Sequence, residues 1–335
     1  MPKDGSTTAV DVLRGPITIE NRLLDDSVIM KSDGWPTYHL AAMVDDHLMK
    51  ITHVFRGSEW LGTFPLHVNI IRAFGWDEPQ WIHLSVFLKP SGKGKMSKRE
   101  TADALKDGYS IFIKDMNELG FIPEGLNNWA ALMGWGAGET EDVLVLDEMI
   151  EKFDIKRLNA SPAAINFAKL DYFNGEHIRR LRNDDLAYRL KPYFEKAGFV
   201  VNEEKLLKII PIIRERLVTL DDCLAFAAWF FKDEVEINPS ELVGKNLTPA
   251  ESLAIAKKIY EVLDQLPSLS HAEAEPPMRS LIEELALSPN QVFGLLRVAV
   301  TGQMISPPLF ESMEIVGKEK VLYRLKKSID FLSNM

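Results

Sequence analysis

The first thirty residues alternate β-branched and polar positions, as in TAVDVLRGPITI, with a break at Gly15-Pro16, and predict strand and turn. The short apolar run SVIM follows. From Thr37 to Leu48, TYHLAAMVDDHL places apolar residues three and four apart, the spacing of a helix. ITHVFRG (51–57) predicts a buried strand ending in glycine, LGTFPLHVNIIRAF (61–74) an amphipathic helix closed by Gly75, and HLSVFLKP (83–90) another strand. A strand, helix, strand order implies parallel strands joined by a crossover, as in an open α/β sheet. Such sheets hold ligands beyond the carboxyl ends of their strands, where Arg56 and the loop after Lys89 both fall.

From about residue 100 helical patterns dominate: YSIFIKDMNELGF, INFAKLDYFNGEHIRRLR, DDLAYRLKPYFEKAG, EKLLKIIPIIRERL, LAIAKKIYEVLDQL and KVLYRLKKSIDFL. Gly198, Pro249 and Pro289 mark helix ends or starts. NPSELVGKNLTPAE (238–251) is the best linker candidate, and the Pro-Pro pairs at 276 and 307 predict turns. The fold class expected is therefore α/β followed by all-α. No internal repeat or low-complexity tract interrupts it.

Composition narrows the class. A chain of 335 residues, 46% hydrophobic and 26% charged, predicts a soluble protein of two or three domains. No apolar run approaches the roughly 20 residues of a membrane span, so no membrane partner is expected. One cysteine, Cys223, excludes an internal disulfide and a cysteine-rich zinc site, and a reducing cytoplasm is the expected location. A net charge of −10 excludes indiscriminate nucleic-acid binding but not a structured partner met by local basic patches, such as 89–99, 177–191 and 318–327.

Candidate chemistry concentrates in one loop. Gly92 and Gly94 flank Lys93, Lys95, Lys98 and Arg99 directly after a strand, so the loop can close over a polyphosphate and neutralise charge as pyrophosphate leaves. Asp45 and Asp46 form a carboxylate pair, read here as helix-end and structural residues. His39, His47, His53, His67 and His83 lack metal-ligand spacing and are read as packing or hydrogen-bonding groups. No Ser-His-Asp or Cys-His arrangement is evident.

Lys95-Met96-Ser97-Lys98-Arg99 after its strand resembles the signature loop of class I aminoacyl-tRNA synthetases. SDGWPTYHLAAMVDDHLMKITHVFRGSEWLGTFPLH (32–67) is similar, nearly residue by residue, to the glutamyl branch. The resemblance implies the back half of a Rossmann-like catalytic domain, then a stem-contact region and an all-helical anticodon-binding domain. It implies that Tyr38, Arg56 and Trp60 bind glutamate, and that Glu59, Lys95, Met96, Ser97, Lys98 and Arg99 bind ATP, with Lys95 and Lys98 catalytic. Arginine's two-pronged donor suits a carboxylate and not glutamine's amide. Magnesium would be held by phosphates, with no zinc. Ser58 stands where many relatives carry an acidic residue, and Ala42 where some carry asparagine, which affects details of the pocket.

GYSIFIKDMNELGFIPEGLNNWAALMGWG (108–136) resembles the family's stem-contact segment, and FAKLDYFNGEHIRRL the helical domain that follows. LRVAVTGQMISPPLFESMEIVGKEKVLYRL (296–325) resembles the final anticodon helices. By that match Arg297, Ser306, Pro307 and Leu309 line the pocket for the first two anticodon bases, and Arg216 checks the third. The domains expected are a remnant of the acceptor-binding insertion at 1–30, the catalytic half with its loop at 31–100, the stem-contact region at 101–155, and helical anticodon subdomains at 156–245 and 246–335. The glutaminyl branch, with its β-barrel anticodon domain, fits this helical pattern poorly.

The family's H-x-G-H word is absent from these residues. The resemblance therefore implies part of a glutamate–tRNA ligase, lacking its first third and inactive alone, that acts on glutamate, ATP and the glutamate tRNA as a monomer. The alternatives are a natural truncated tRNA-binding relative without catalysis, and a helical scaffold with an accidental basic loop.

Overall fold

The computed structural model describes residues 3–96, 109–136 and 142–335. Ser97, Lys98 and Arg99 lie outside the described residues. The chain divides into two compact units, residues 1–111 with 126–173, and residues 112–125 with 174–335.

The first unit is built on a four-stranded sheet. Strands β1 (Ser6–Asp11) and β2 (Gly15–Glu20) form an antiparallel hairpin from Ser6↔Glu20 to Asp11↔Gly15. Its turn is tied by Asp11, whose Oδ1 accepts from the backbone N–H groups of Leu13 and Arg14 at 2.9 Å each. Gly15, at φ +74°, supplies the left-handed residue that closes the turn. Strand β3 (His53–Gly57) and strand β4 (Gln80–Leu84) run parallel, His53↔Gln80 through Gly57↔Leu84, and the sheet order is β2-β1-β4-β3. The crossover between β3 and β4 is helix α2 (Phe64–Ala73), as the strand, helix, strand pattern predicts.

Helix α1 (Tyr38–Leu48) packs on α2 through Leu40 and Met43, and the core is completed by Phe64, Leu66, Val68, Ile70, Ile71, Ala9 and Trp81. Central strand β4 buries Trp81, Ile82 and His83 in succession, because both faces of an inner parallel strand are covered.

Two expected elements differ. The strand expected over 83–90 is two: β4 ends at Leu84, and β5 (Phe87–Leu88) pairs parallel with β6 (Ala163–Ala164) in a separate sheet. Ser85 marks the break, its hydroxyl donating to the Ala160 carbonyl. The helix expected from Leu61 starts at Phe64, because Ser58–Thr63 forms a 3₁₀ turn and Pro65 suits a first helical turn.

The second unit is helical. Asn183–Lys196, Glu203–Ile213, Pro249–Gln265, Pro289–Thr301, Leu309–Val316 and Lys318–Ser333 bury one apolar stripe each around a common core. Thr248 and Glu251 form a capping box ahead of Pro249, and Gly198 ends its helix at φ +89°. The Pro-Pro pair at 276 is not a turn: Pro276 and Pro277 lie inside helix His271–Glu284. They sit in its second turn, where buried Ala274, Met278, Leu281 and Ile282 hold the helix in place despite the lost donors. Within 238–251 a short helix, Pro239–Leu242, buries Leu242 completely. Among the described residues, no helix is long and apolar enough to cross a membrane.

Candidate active site

Arg56 sits next to the carboxyl end of β3, directly opposite His83 on β4. Its guanidinium lies over the Trp81 ring (4.8 Å to the centroid) and near the Phe64 ring (5.5 Å), so the cation is partly sheathed in aromatic surface. Nε donates to His83 Nε2 at 2.8 Å, and Nη1 meets His67 Nδ1 at 2.6 Å. Nη2 is buried and has no hydrogen-bond partner among the described residues. Burial lowers the arginine's pKa from its ordinary value, opposed by Tyr38, Asp46 and Asp11. The same burial, with Arg56 beside it, pushes His67 down to about 3.

Tyr38, the first residue of α1, faces Trp60 at 5.0 Å between ring centroids, and lies 6.5 Å from the His67 ring. Neither aromatic is a core residue, and Tyr38 is 57% exposed. Trp60 and Glu59 come from the 3₁₀ turn that follows β3, so Arg56, Glu59 and Trp60 are delivered by one strand end. The Glu59 carboxylate folds back over Gly57, so a Cβ there would push that flexible side chain aside.

Residues 87–96 double back as a tight hairpin, with Lys89 N donating to Gly94 O and Met96 N to Phe87 O, both at 3.0 Å, and Gly92 and Gly94 at positive φ. This sets Lys95 Nζ 3.4 Å from Glu59 Oε1, an exposed ion pair. The Glu59 carboxyl is held below its ordinary value, first by a backbone N–H and also by Lys95, against the opposing effect of burial. Tyr38, Arg56, Glu59, Trp60 and Lys95 are thus linked by contacts around the ends of two parallel strands. Arg56 and Gly57 also border a cavity of about 510 Å³ walled by Phe55, Leu84, Phe87 and Trp135, room for a small ligand.

The histidines behave as hydrogen-bonding groups. His39 Nδ1 meets His67 Nε2 at 2.8 Å, and His83 Nδ1 meets buried Asp11 Oδ2 at 2.7 Å. Asp11 had no signal in the sequence. It is seventy-two positions from His83, and only the pairing of β1 with β4 brings them together. No group of three or more metal-ligating side chains occurs among the described residues.

In the second unit Arg297 Nη1 donates to Ser306 O (3.2 Å) and Pro307 O (2.9 Å) and also contacts Ser306 Oγ. Arg216 lies over Phe226 at 5.9 Å, close enough to Arg297 to reinforce the lowering of its pKa by burial. Ser306, Pro307 and Leu309 are buried, while the adjacent Met304 and Ile305 are 67% and 74% exposed. Met304 and Ile305 carry no local signal in the sequence.

Known proteins share both halves. Residues 1–172 match the family described as tRNA synthetases class I (E and Q), catalytic domain, and residues 185–329 match the anticodon binding domain. A glutamate–tRNA ligase of Dehalococcoides mccartyi (strain CBDB1) is 38% identical over 341 residues, covering 100% of this chain and 68% of the relative. That of Chloroflexus aurantiacus is 37% identical over 345 residues, covering 100% and 67%. Among solved structures, a glutamate tRNA ligase from Elizabethkingia meningosepticum, in complex with its amino acid, superposes with a TM-score of 0.87 at 32% identity, covering 98% of this chain and 67% of the other. A glutamate-tRNA synthetase from Elizabethkingia anophelis gives 0.83 at 30% over the same shares. The chain thus spans about two thirds of the length of these relatives. It belongs to the glutamate–tRNA ligase family of class I synthetases.

Proposed function

We infer that this chain carries the glutamate-recognising and pyrophosphate-facing part of a glutamate–tRNA ligase, together with its tRNA-reading arm. ATP use follows from membership of class I. The observation that carries the amino-acid assignment is the half-buried Arg56 guanidinium, which meets two histidine rings and no carboxylate among the described residues and keeps Nη2 unpaired. A donor left unpaired in a site costs about 1–3 kcal/mol, and a side-chain carboxylate would remove that cost while supplying the opposite charge. Lys95, paired with Glu59, is the cation presented to ATP, and Met96, Ser97, Lys98 and Arg99 are the further ATP-binding residues of this proposal. Glu59 would turn to the adenosine as Lys95 moves to phosphate. Neither a general base nor a covalent nucleophile is required: the substrate carboxylate attacks the α-phosphate, and the protein orients it and stabilises charge. Magnesium would arrive on the ATP phosphates and keep its waters.

Arg297, Arg216, Ser306, Pro307 and Leu309 form the anticodon-side cluster of this proposal, supported by the contacts of Arg297 with the 306–307 backbone. Splayed bases are commonly read by arginine planes and loop backbone. The chain acts as a monomer in the cytoplasm on the glutamate tRNA. Two assays test the proposal together. In filter binding, the chain should hold the glutamate tRNA with an affinity that falls steeply with salt, while ATP–pyrophosphate exchange by the chain alone stays at background. Exchange above background would refute inactivity, and tRNA binding indifferent to salt would refute the arm's assignment.

A further inference from the structure

Buried guanidinium groups are ordinarily met by carboxylates. Around Arg56 both polar contacts among the described residues are histidine ring nitrogens instead, and their protons can be assigned by following donors. A guanidinium has only donors, so the ring atoms facing it, His83 Nε2 and His67 Nδ1, must both be bare. His83 then carries its proton on Nδ1, which faces Asp11 Oδ2 at 2.7 Å. That oxygen also accepts the His83 backbone N–H at 3.0 Å, while Oδ1 accepts from Leu13 and Arg14, so four donors converge on one buried carboxylate and lock it. His67 carries its proton on Nε2, which points at His39 Nδ1 at 2.8 Å. One proton per ring satisfies every contact, and a second proton on either ring would point at the Arg56 cation.

Resting on the glutamate reading of Arg56, we propose that His67 and His83 are positioning residues: bare ring nitrogens hold the guanidinium without cancelling its charge, which stays available to an incoming side-chain carboxylate. A carboxylate in place of either ring would make the same hydrogen bond but would neutralise the cation before the ligand arrived. An amide side chain could then compete with a carboxylate on equal terms. The histidines therefore set discrimination, not merely shape. Other ionisable groups acting on the cluster are Tyr38 and Asp46 on α1, Asp11 at the end of β1, and Arg14 in the turn beyond it. His67 is completely buried and so is His83, so neither ring exchanges protons freely with solvent.

The test is long-range nitrogen–proton NMR on this chain labelled at histidine and arginine side chains. His67 should be protonated only at Nε2 and His83 only at Nδ1, with neither gaining a second proton between about pH 8 and 5.5. L-glutamate should move the Arg56 Nε signal at a concentration about tenfold or more below that needed with L-glutamine. His67→Asn, whose amide oxygen replaces Nδ1, should keep that preference, and His67→Glu should lose it. A doubly protonated His67 or His83 near pH 6.5, or an undiminished preference in folded His67→Glu, overturns the positioning role. Correct tautomers with no response to either amino acid would overturn the glutamate reading of Arg56 instead, and leave the histidine scaffold as assigned.

Discussion

Replacing Arg324 should cost the helical unit more than any surface change in it. Arg324, in helix Lys318–Ser333, is only 2% exposed and, among the described residues, makes no direct ion pair with a carboxylate, although the charge of Asp233 acts on it. It donates instead to backbone carbonyls: Nη1 to Val300 at 2.6 Å, and Nη2 to Trp229 at 3.1 Å and Lys232 at 2.6 Å. The Val300 carbonyl belongs to the last turn of Pro289–Thr301, and the other two close the short turn Ala228–Phe231, so one side chain ties three chain segments. Burial lowers its pKa to about 10, opposed by the charge of Asp233. In Arg324→Met the aliphatic bulk remains but three acceptors lose their donor, at about 1–3 kcal/mol each. Relief of the buried charge offsets part of this, leaving a net loss of about 3–5 kcal/mol. With an m-value of about 2 kcal/mol per molar urea, the midpoint of this unit should fall by roughly 1.5–2.5 M. Urea titration followed by tryptophan fluorescence reads it directly, since Trp229 lies beside the substituted residue. Arg324→Lys should recover only part, because one ammonium cannot span the three acceptors. A midpoint shift below about 0.3 M for Arg324→Met would refute the clamp.

Three further outcomes follow from named contacts. His67, neutral in the fold with a pKa of about 3 against 6.5 when unfolded, makes the unfolded chain bind the extra proton between those values, so stability falls as pH is lowered through that window. At pH 5 the loss relative to pH 7.5 is about 2 kcal/mol, and equilibrium unfolding of His67→Asn should lack that part. Gly120, at φ +88°, would place a Cβ 2.7 Å from the Leu220 and Asp221 backbone nitrogens, so Gly120→Ala should lower thermal stability by about 2 kcal/mol or more on calorimetry. Arg297→Gln should weaken glutamate-tRNA binding by about 1–3 kcal/mol in filter assays while leaving the helical content by circular dichroism unchanged.

The pattern of apolar positions was enough for α1, the β3–α2–β4 crossover and the long helices, because each buries one face at its natural period. Where the sequence misled, local rules met tertiary packing. The Pro-Pro pair at 276 obeys turn statistics, yet Met278 and Leu281 anchor a helix through it. The single strand expected over 83–90 is cut at Ser85 by a contact with the distant Ala160 carbonyl. Arg56 and the Lys95 loop were legible as words, since both sit at strand ends. Their support was not: Asp11, His67 and His83 gain meaning only from strand register and from the way α2 lies on the sheet, which no local spacing records.

The most direct measurement is calorimetric binding of two non-hydrolysable adenylate mimics, glutamyl- and glutaminyl-sulfamoyl adenosine, to this chain and to Arg56→Leu. If the Arg56 guanidinium is the carboxylate receptor, the chain prefers the glutamyl compound, and Arg56→Leu loses about 100-fold in affinity for it while changing little towards the glutaminyl one. Equal affinities for the two compounds in the unsubstituted chain, or a preference that survives loss of the guanidinium, would contradict it.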